Sequence, residues 1–249
     1  GSETLFCVRT NGNGTGYSSP WQIALRVYIT STGQVGAYYA TNATNDSAGS
    51  GGTSQPMYSI PTLYAPDLQW SHLRITIKNN IIALWVNGRK SGGGAPFSPP
   101  SNWHVEDGRG YFIFGAVNVY DTDSGGMHLA NFRIATICPI DTDQAYFEVP
   151  TDTFPHGPLQ TTSALLMHFD GANNAPVFDD SSAFAHVFTP RGDAKLSTAQ
   201  SKFGVSSGYF DGTGDYADCR AKPDGAFSAG LPYIFQIHAG PFTVECWIR

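Results

Sequence analysis

HLRITIK (72–78), the pair Asn79-Asn80 and IIALWVNG (81–88) form the stretch from which the fold is read. Apolar and polar residues alternate with period two on both sides of the asparagines, the pattern of strands whose successive side chains face opposite ways. The Asn-Asn pair joins the two runs as a tight hairpin, and Asn87-Gly88 opens the next turn, because asparagine and glycine tolerate the positive φ that short hairpins demand. The alternation recurs outward in TLFCVRT (4–10), WQIALRVYI (21–29), QVGAYYAT (34–41), GYFIFGAVNV (110–119) and HLANFRIA (128–135). It returns in ALLMHFDG (164–171), HVFTP (186–190), SSGYFDG (206–212), DYADC (215–219) and FTVECWIR (242–249). No helix-period segment of useful length competes, so sheets must pack on each other. The expected class is all-β, a two-sheet antiparallel sandwich.

Composition agrees. Of 249 residues, 41% are hydrophobic and only 14% charged, with 28 glycines and 16 prolines, which suits a large core and many strands joined by turns. The net charge of −6, without a run of Lys or Arg, argues against nucleic acid and against an anionic membrane surface as partners. No apolar stretch is long enough to insert in a bilayer, and the chain is expected to be soluble. Cys7, Cys138, Cys219 and Cys246 form neither a CxxC motif nor a Cys/His cluster, and each reads as a small buried apolar residue. Residues 42–66 and 89–109 read as long loops, where function tends to sit. Residues 142–163 read as a Pro-rich linker between a portion at 3–141 and another at 164–249.

LLMHFDG, DDSS, AKLSTAQSKFGVSSGYFDGTGDYADC and FTVECWIR together resemble the opening half of the LamG-like jelly roll of the laminin-G/concanavalin-A-like superfamily, a domain that recurs in bacteriophage tail and other virion proteins. ETLFCVRT, QWSHLRITIKNNIIALWVNGRK and NFRIA resemble its closing half. The halves stand in inverted order. The resemblance therefore implies either a circular permutant, whose two portions rebuild one jelly-roll sandwich, or parts of adjacent or swapped tandem domains. A half sandwich would expose unpaired edges and an apolar face, which favours the permutant.

Relatives of this kind include glycan hydrolases, yet the four glutamates, Glu3, Glu106, Glu148 and Glu245, form no alternating acidic pair that would set two carboxylates on one strand face. Gly204-Val205-Ser206-Ser207-Gly208 spells G-x-S-x-G but is followed by a strand where a nucleophile elbow needs a helix. Arg191-Gly192-Asp193 reads as a turn, and the seven histidines show no metal-ligand spacing. Calcium is the one cofactor to weigh: Asp121 and Asp123 in YDTDSGG, and Asp179 and Asp180 beside Ser181, are its candidate oxygen ligands, against the plainer reading that Asp and Gly simply make turns.

Sugar binding needs an aromatic face ringed by hydrogen-bonding groups. Trp103, flanked by Asn102 and His104 in a polar loop, is the preferred platform and Tyr120 the second, while Tyr233 is a further candidate. Trp70, Trp85 and Trp247 fall in strands and read as core or sheet-face residues. The expected function is non-catalytic glycan or cell-surface-receptor recognition in a virion or other extracellular protein. The alternative is a structural module, such as capsid decoration or a fibre spacer, in contact with other virion subunits or copies of itself. A glycan hydrolase is remote.

Overall fold

In the computed structural model the described residues are 2–10, 22–40, 57–79, 81–92, 95–96, 111–116, 126–135, 145–153, 163–220 and 241–249, and they form two antiparallel sheets with no helix. The seven-stranded sheet runs in spatial order β12 (Thr189–Arg191), β15 (Tyr216–Arg220), β9 (Tyr111–Phe114), β1 (Ser2–Thr10), β2 (Gln22–Thr30), β3 (Gln34–Ala40) and β4 (Met57–Tyr64). The nine-stranded sheet runs β13 (Lys195–Ser197), β14 (Ser207–Asp211), β10 (Gly126–Ala135), β16 (Phe242–Ile248), β5 (Ser71–Lys78), β6 (Ile81–Val86) and β7 (Arg89–Lys90), with β11 (Ser163–Met167) also on β10 and β8 (Ala95–Pro96) on β6.

Strands from the two ends of the sequence interleave in both sheets. β15 pairs with β9, placing Ala217 opposite Phe114, and β16 lies between β10 and β5, with Glu245 opposite both Arg133 and Arg74. A single buried cluster between the sheets takes Phe6, Phe112, Phe114 and Phe132 from residues 2–135, and Phe169, Phe178, Phe188 and Phe210 from residues 163–220. Their rings meet edge to face, as Phe114 does with Phe132 at 4.8 Å between centroids, the arrangement that aligns a ring's positive edge with a neighbour's negative face.

The hairpin read from the sequence is present. Lys78 pairs with Ile81 across Asn79 (φ 52°), and Val86 pairs with Arg89 across Asn87 (φ 49°) and Gly88 (φ 77°). The loop expected over 42–66 is corrected in part: residues 57–64 are β4. Pro61 hid it, since proline donates no ladder hydrogen bond. β4 accommodates it as the edge strand, with a register shift between the Val35–Leu63 and Ala37–Ile60 pairs that leaves an extra residue there. The 89–109 loop likewise contains the short β7 and β8.

The nine-stranded sheet is buried on both faces at its centre. In β16, Phe242, Val244, Cys246 and Ile248 enter the core, while the alternate residues Thr243, Glu245 and Trp247 are buried as well. Residues 145–150, read from sequence as linker, help cover that second face: Phe147 donates its N–H to Gly88 O, and its ring sits 5.5 Å from that of Trp85 and 3.9 Å from the Arg74 guanidinium carbon. Beneath it Glu245 receives Arg74 Nε at 2.7 Å and is paired with the guanidiniums of Arg74 and Arg133, with His72 Nε2 at 3.5 Å. Burial works against its charge, but the His72 contact and the two arginines outweigh it and hold the carboxyl far below its usual range, at about 2. Burial pushes the His72 imidazole the other way, below its ordinary value.

Candidate functional site

A cavity opens where the nine-stranded sheet parts. β14 and β11 share one edge of β10: β14 pairs as far as Leu129, β11 takes over at Phe132, and Asn131 falls between them. On the opposite edge the register with β16 slips between Ala130 and Arg133, so β10 carries an extra residue there. Asn131 meets the bend with φ 45°, a conformation asparagine tolerates better than most residues. The residues that follow β11 (His168, Phe169, Asp170) and those that precede β14 (Phe203, Gly204) diverge around the gap. Together with Thr153, Val177, Asp179, Ser181 and Leu196 they line a cavity of about 220 Å³.

The walls are tied by hydrogen bonds. The Ser206 hydroxyl donates to Phe169 O at 3.0 Å and accepts from Gly171 N–H at 2.9 Å, and Val205 N–H donates to Asp170 Oδ1 at 2.8 Å. The serine of the G-x-S-x-G match is thus a clasp between two loops. Gly204 (φ 66°) lies so close that a Cβ there would collide with the Asp170 carboxylate. Its neighbour Ser207 donates to Gln200 O at 2.8 Å, so the 2.9 Å contact with His128 Nδ1 has the imidazole as donor, the reverse of a serine activated by a histidine base.

Within the cavity, His168 Nδ1 lies 3.1 Å from Asn131 Oδ1. A carbonyl oxygen only accepts, so this ring nitrogen carries the proton and donates. That leaves Asn131 Nδ2 as a donor with no partner among the described residues, on a side chain only 1% exposed. Asp170 and Asp179 are exposed carboxylates at the same cavity, Val177 and Phe203 add apolar surface, and no Lys or Arg lines it among the described residues.

Comparison with protein-family models, with curated proteins and with solved structures returns no match.

Of the residues singled out in the sequence, Asn102, Trp103, His104, Tyr120, Asp121, Asp123 and Tyr233 lie outside the described residues. Asp179 lines the cavity. Asp180, its neighbour, is buried and committed to protein donors: Oδ1 accepts from Leu166 N–H and Ser182 N–H, and Oδ2 from Ser182 Oγ, His186 N–H and His186 Nδ1, all within 2.6–2.9 Å. Burial opposes its ionisation, yet these bonds, led by His186, keep the carboxyl below its ordinary value. Asp180 therefore acts as the anchor that presents Val177, Asp179 and Ser181 to the cavity. Trp85 and Trp247 are buried on the outer sheet face, as read, and Trp70 is half-buried.

A group the sequence reading did not assemble is Asp193, Asp211 and Asp215, whose carboxylate oxygens lie within 4.8 Å of one another. Asp215 accepts from Asp193 N–H and Asp211 N–H, and burial raises its pKa, whereas a hydrogen bond from Asp215 lowers that of exposed Asp193. Asn131, His168 and Asp170 were also missed as site residues. The Asn in the otherwise apolar alternation HLANFRI was the signal available for the first.

Proposed function

We propose that this chain is a non-catalytic recognition module that binds a glycan of a cell surface, carried on a virion or another extracellular protein. One observation carries the reading: the cavity is lined by Asn131, a buried amide whose Nδ2 has no acceptor among the described residues, beside two carboxylate acceptors and an apolar wall. A sugar offers hydroxyls that both donate and accept, along with a C–H face that packs on apolar side chains, so one ring can satisfy all three kinds of group. The virion setting rests on the resemblance of the chain's strands to LamG-like domains. The non-catalytic reading is supported by the sequence, in which the four glutamates form no alternating acidic pair that would set two carboxylates on one strand face.

The test is a glycan array probed with the whole chain, followed by Asn131→Asp, which removes the donor and keeps the shape and the tolerance of positive φ. Binding that disappears in the variant while the melting curve is retained supports the reading; an array without hits overturns it. A second reading, a structural module, is favoured by Val177, Val187 and Val205, all exposed, with Val187 bridged to Asp179 beside the cavity. A homo-oligomer in light scattering that dissociates on changing all three to Ser would support that instead.

A further inference from the structure

Resting on that reading, we propose that the cavity selects an acetamido sugar, taking the amide carbonyl on Asn131 Nδ2, the amide N–H on an Asp170 or Asp179 carboxylate and the methyl group against Val177, Leu196 and Phe203. Size bounds the ligand first. At about 220 Å³ the cavity is smaller than the roughly 300–1,000 Å³ of drug-sized sites, so it admits one ring or one substituent and no chain segment.

The chemistry then narrows the class. Asn131 is 1% exposed, its Oδ1 is taken by His168 and its Nδ2 has no acceptor among the described residues, so a ligand gains most by offering a strong neutral acceptor at that point. An amide carbonyl is such a group, and a sugar hydroxyl or ring oxygen is a weaker one. An amide also presents an N–H, and the carboxylates can receive it: Asp170 uses only Oδ1 internally, toward Val205 N–H, and its other oxygen has no partner among the described residues. The third part of the group is a methyl, and the cavity supplies Leu196, Val177 and Phe203 for it. A plain hexose would set a hydroxyl there, leaving either its O–H or the apolar wall unsatisfied. Two carboxylates, with no Lys or Arg lining the cavity among the described residues, further disfavour uronic, sialic and sulfated sugars by like-charge repulsion.

The experiment is isothermal titration of the full chain with N-acetylglucosamine and N-acetylgalactosamine against glucose, galactose and N-acetylneuraminic acid. At least one neutral N-acetyl sugar should bind about tenfold or more tightly than its parent hexose, a difference of about 1.4 kcal/mol, and the acidic sugar more weakly than either N-acetyl sugar. Asn131→Asp and Val177→Thr, each checked by its melting curve, should each erase most of that preference. The valine is exposed, so its replacement leaves folding intact. Parent hexoses binding as tightly as their N-acetyl forms would overturn the acetamido assignment while leaving glycan recognition standing. The absence of binding by every sugar here and across the array would overturn the recognition reading itself.

Discussion

Replacing Glu245 with Gln tests how the outer face of the nine-stranded sheet is held. Glu245 is 1% exposed and is the carboxylate between Arg74 and Arg133 beneath Phe147. Removing its charge leaves two guanidiniums facing each other in a poorly solvated layer, and breaking a buried pair in this way typically costs about 3–5 kcal/mol. Linkage gives a similar figure: a carboxyl held at about 2 instead of 4.5 carries roughly 3 kcal/mol at neutral pH. For a chain of this length that lowers the melting temperature by roughly 10 °C. The sign in pH is also set. Because the folded pKa is depressed, the stabilisation is whole above the unfolded value near 4.5 and is lost as pH falls toward 2. Urea unfolding of both proteins from pH 7 to pH 2.5 should show a gap that narrows below about pH 4.5. A gap under about 1 kcal/mol at pH 7, or one that stays constant across the range, would refute the reasoning.

Asp180→Ala strips the acceptor from five donors, so stability should fall by about 2–4 kcal/mol, with the Leu166, Ser182 and His186 amides exchanging faster by hydrogen-exchange mass spectrometry; unchanged exchange there would count against the anchor role. Gly204→Ala forces a Cβ at positive φ into the Asp170 carboxylate, which should cost about 1–3 kcal/mol and abolish the proposed sugar binding, read by melting and titration. Phe147→Ala removes the ring packed on Trp85, His72 and Arg74, and a loss of about 2 kcal/mol in urea unfolding is expected from a half-buried aromatic; no loss would mean that residues 145–150 do not hold the outer face. In a Cys138→Ser background the native protein should resist thiol reagents, since Cys7, Cys219 and Cys246 are buried and burial raises the Cys219 thiol to about 12; fast labelling at pH 8 would contradict that burial.

The cavity shows why a strand pattern does not reveal a site. Asn131 in HLANFRI reads locally as one polar position in an alternating strand, and its meaning comes from β14 and β11 parting along one edge of β10. Those strands lie more than thirty residues away in sequence. Ser206 likewise spells part of a hydrolase motif, and only the Phe169 and Gly171 backbone at its hydroxyl shows it to be a clasp. Asp179 and Asp180 are adjacent and chemically alike, yet one faces the cavity and the other is consumed by five protein donors, because alternate residues of an extended segment point opposite ways.

What the sequence determined by itself was the class of fold: period-two alternation, the Asn79-Asn80 and Asn87-Gly88 turns and the lack of a helical period leave sheet on sheet as the way to bury the apolar faces. It did not determine which faces would be covered. Alternation in β16 predicts one wet face, but Glu245 and Trp247 are buried too, because residues 145–150 and Phe203 pack over that side. Local periodicity sets where a side chain points, whereas its burial, its charge state and the gap it borders depend on strands that meet only in the tertiary structure.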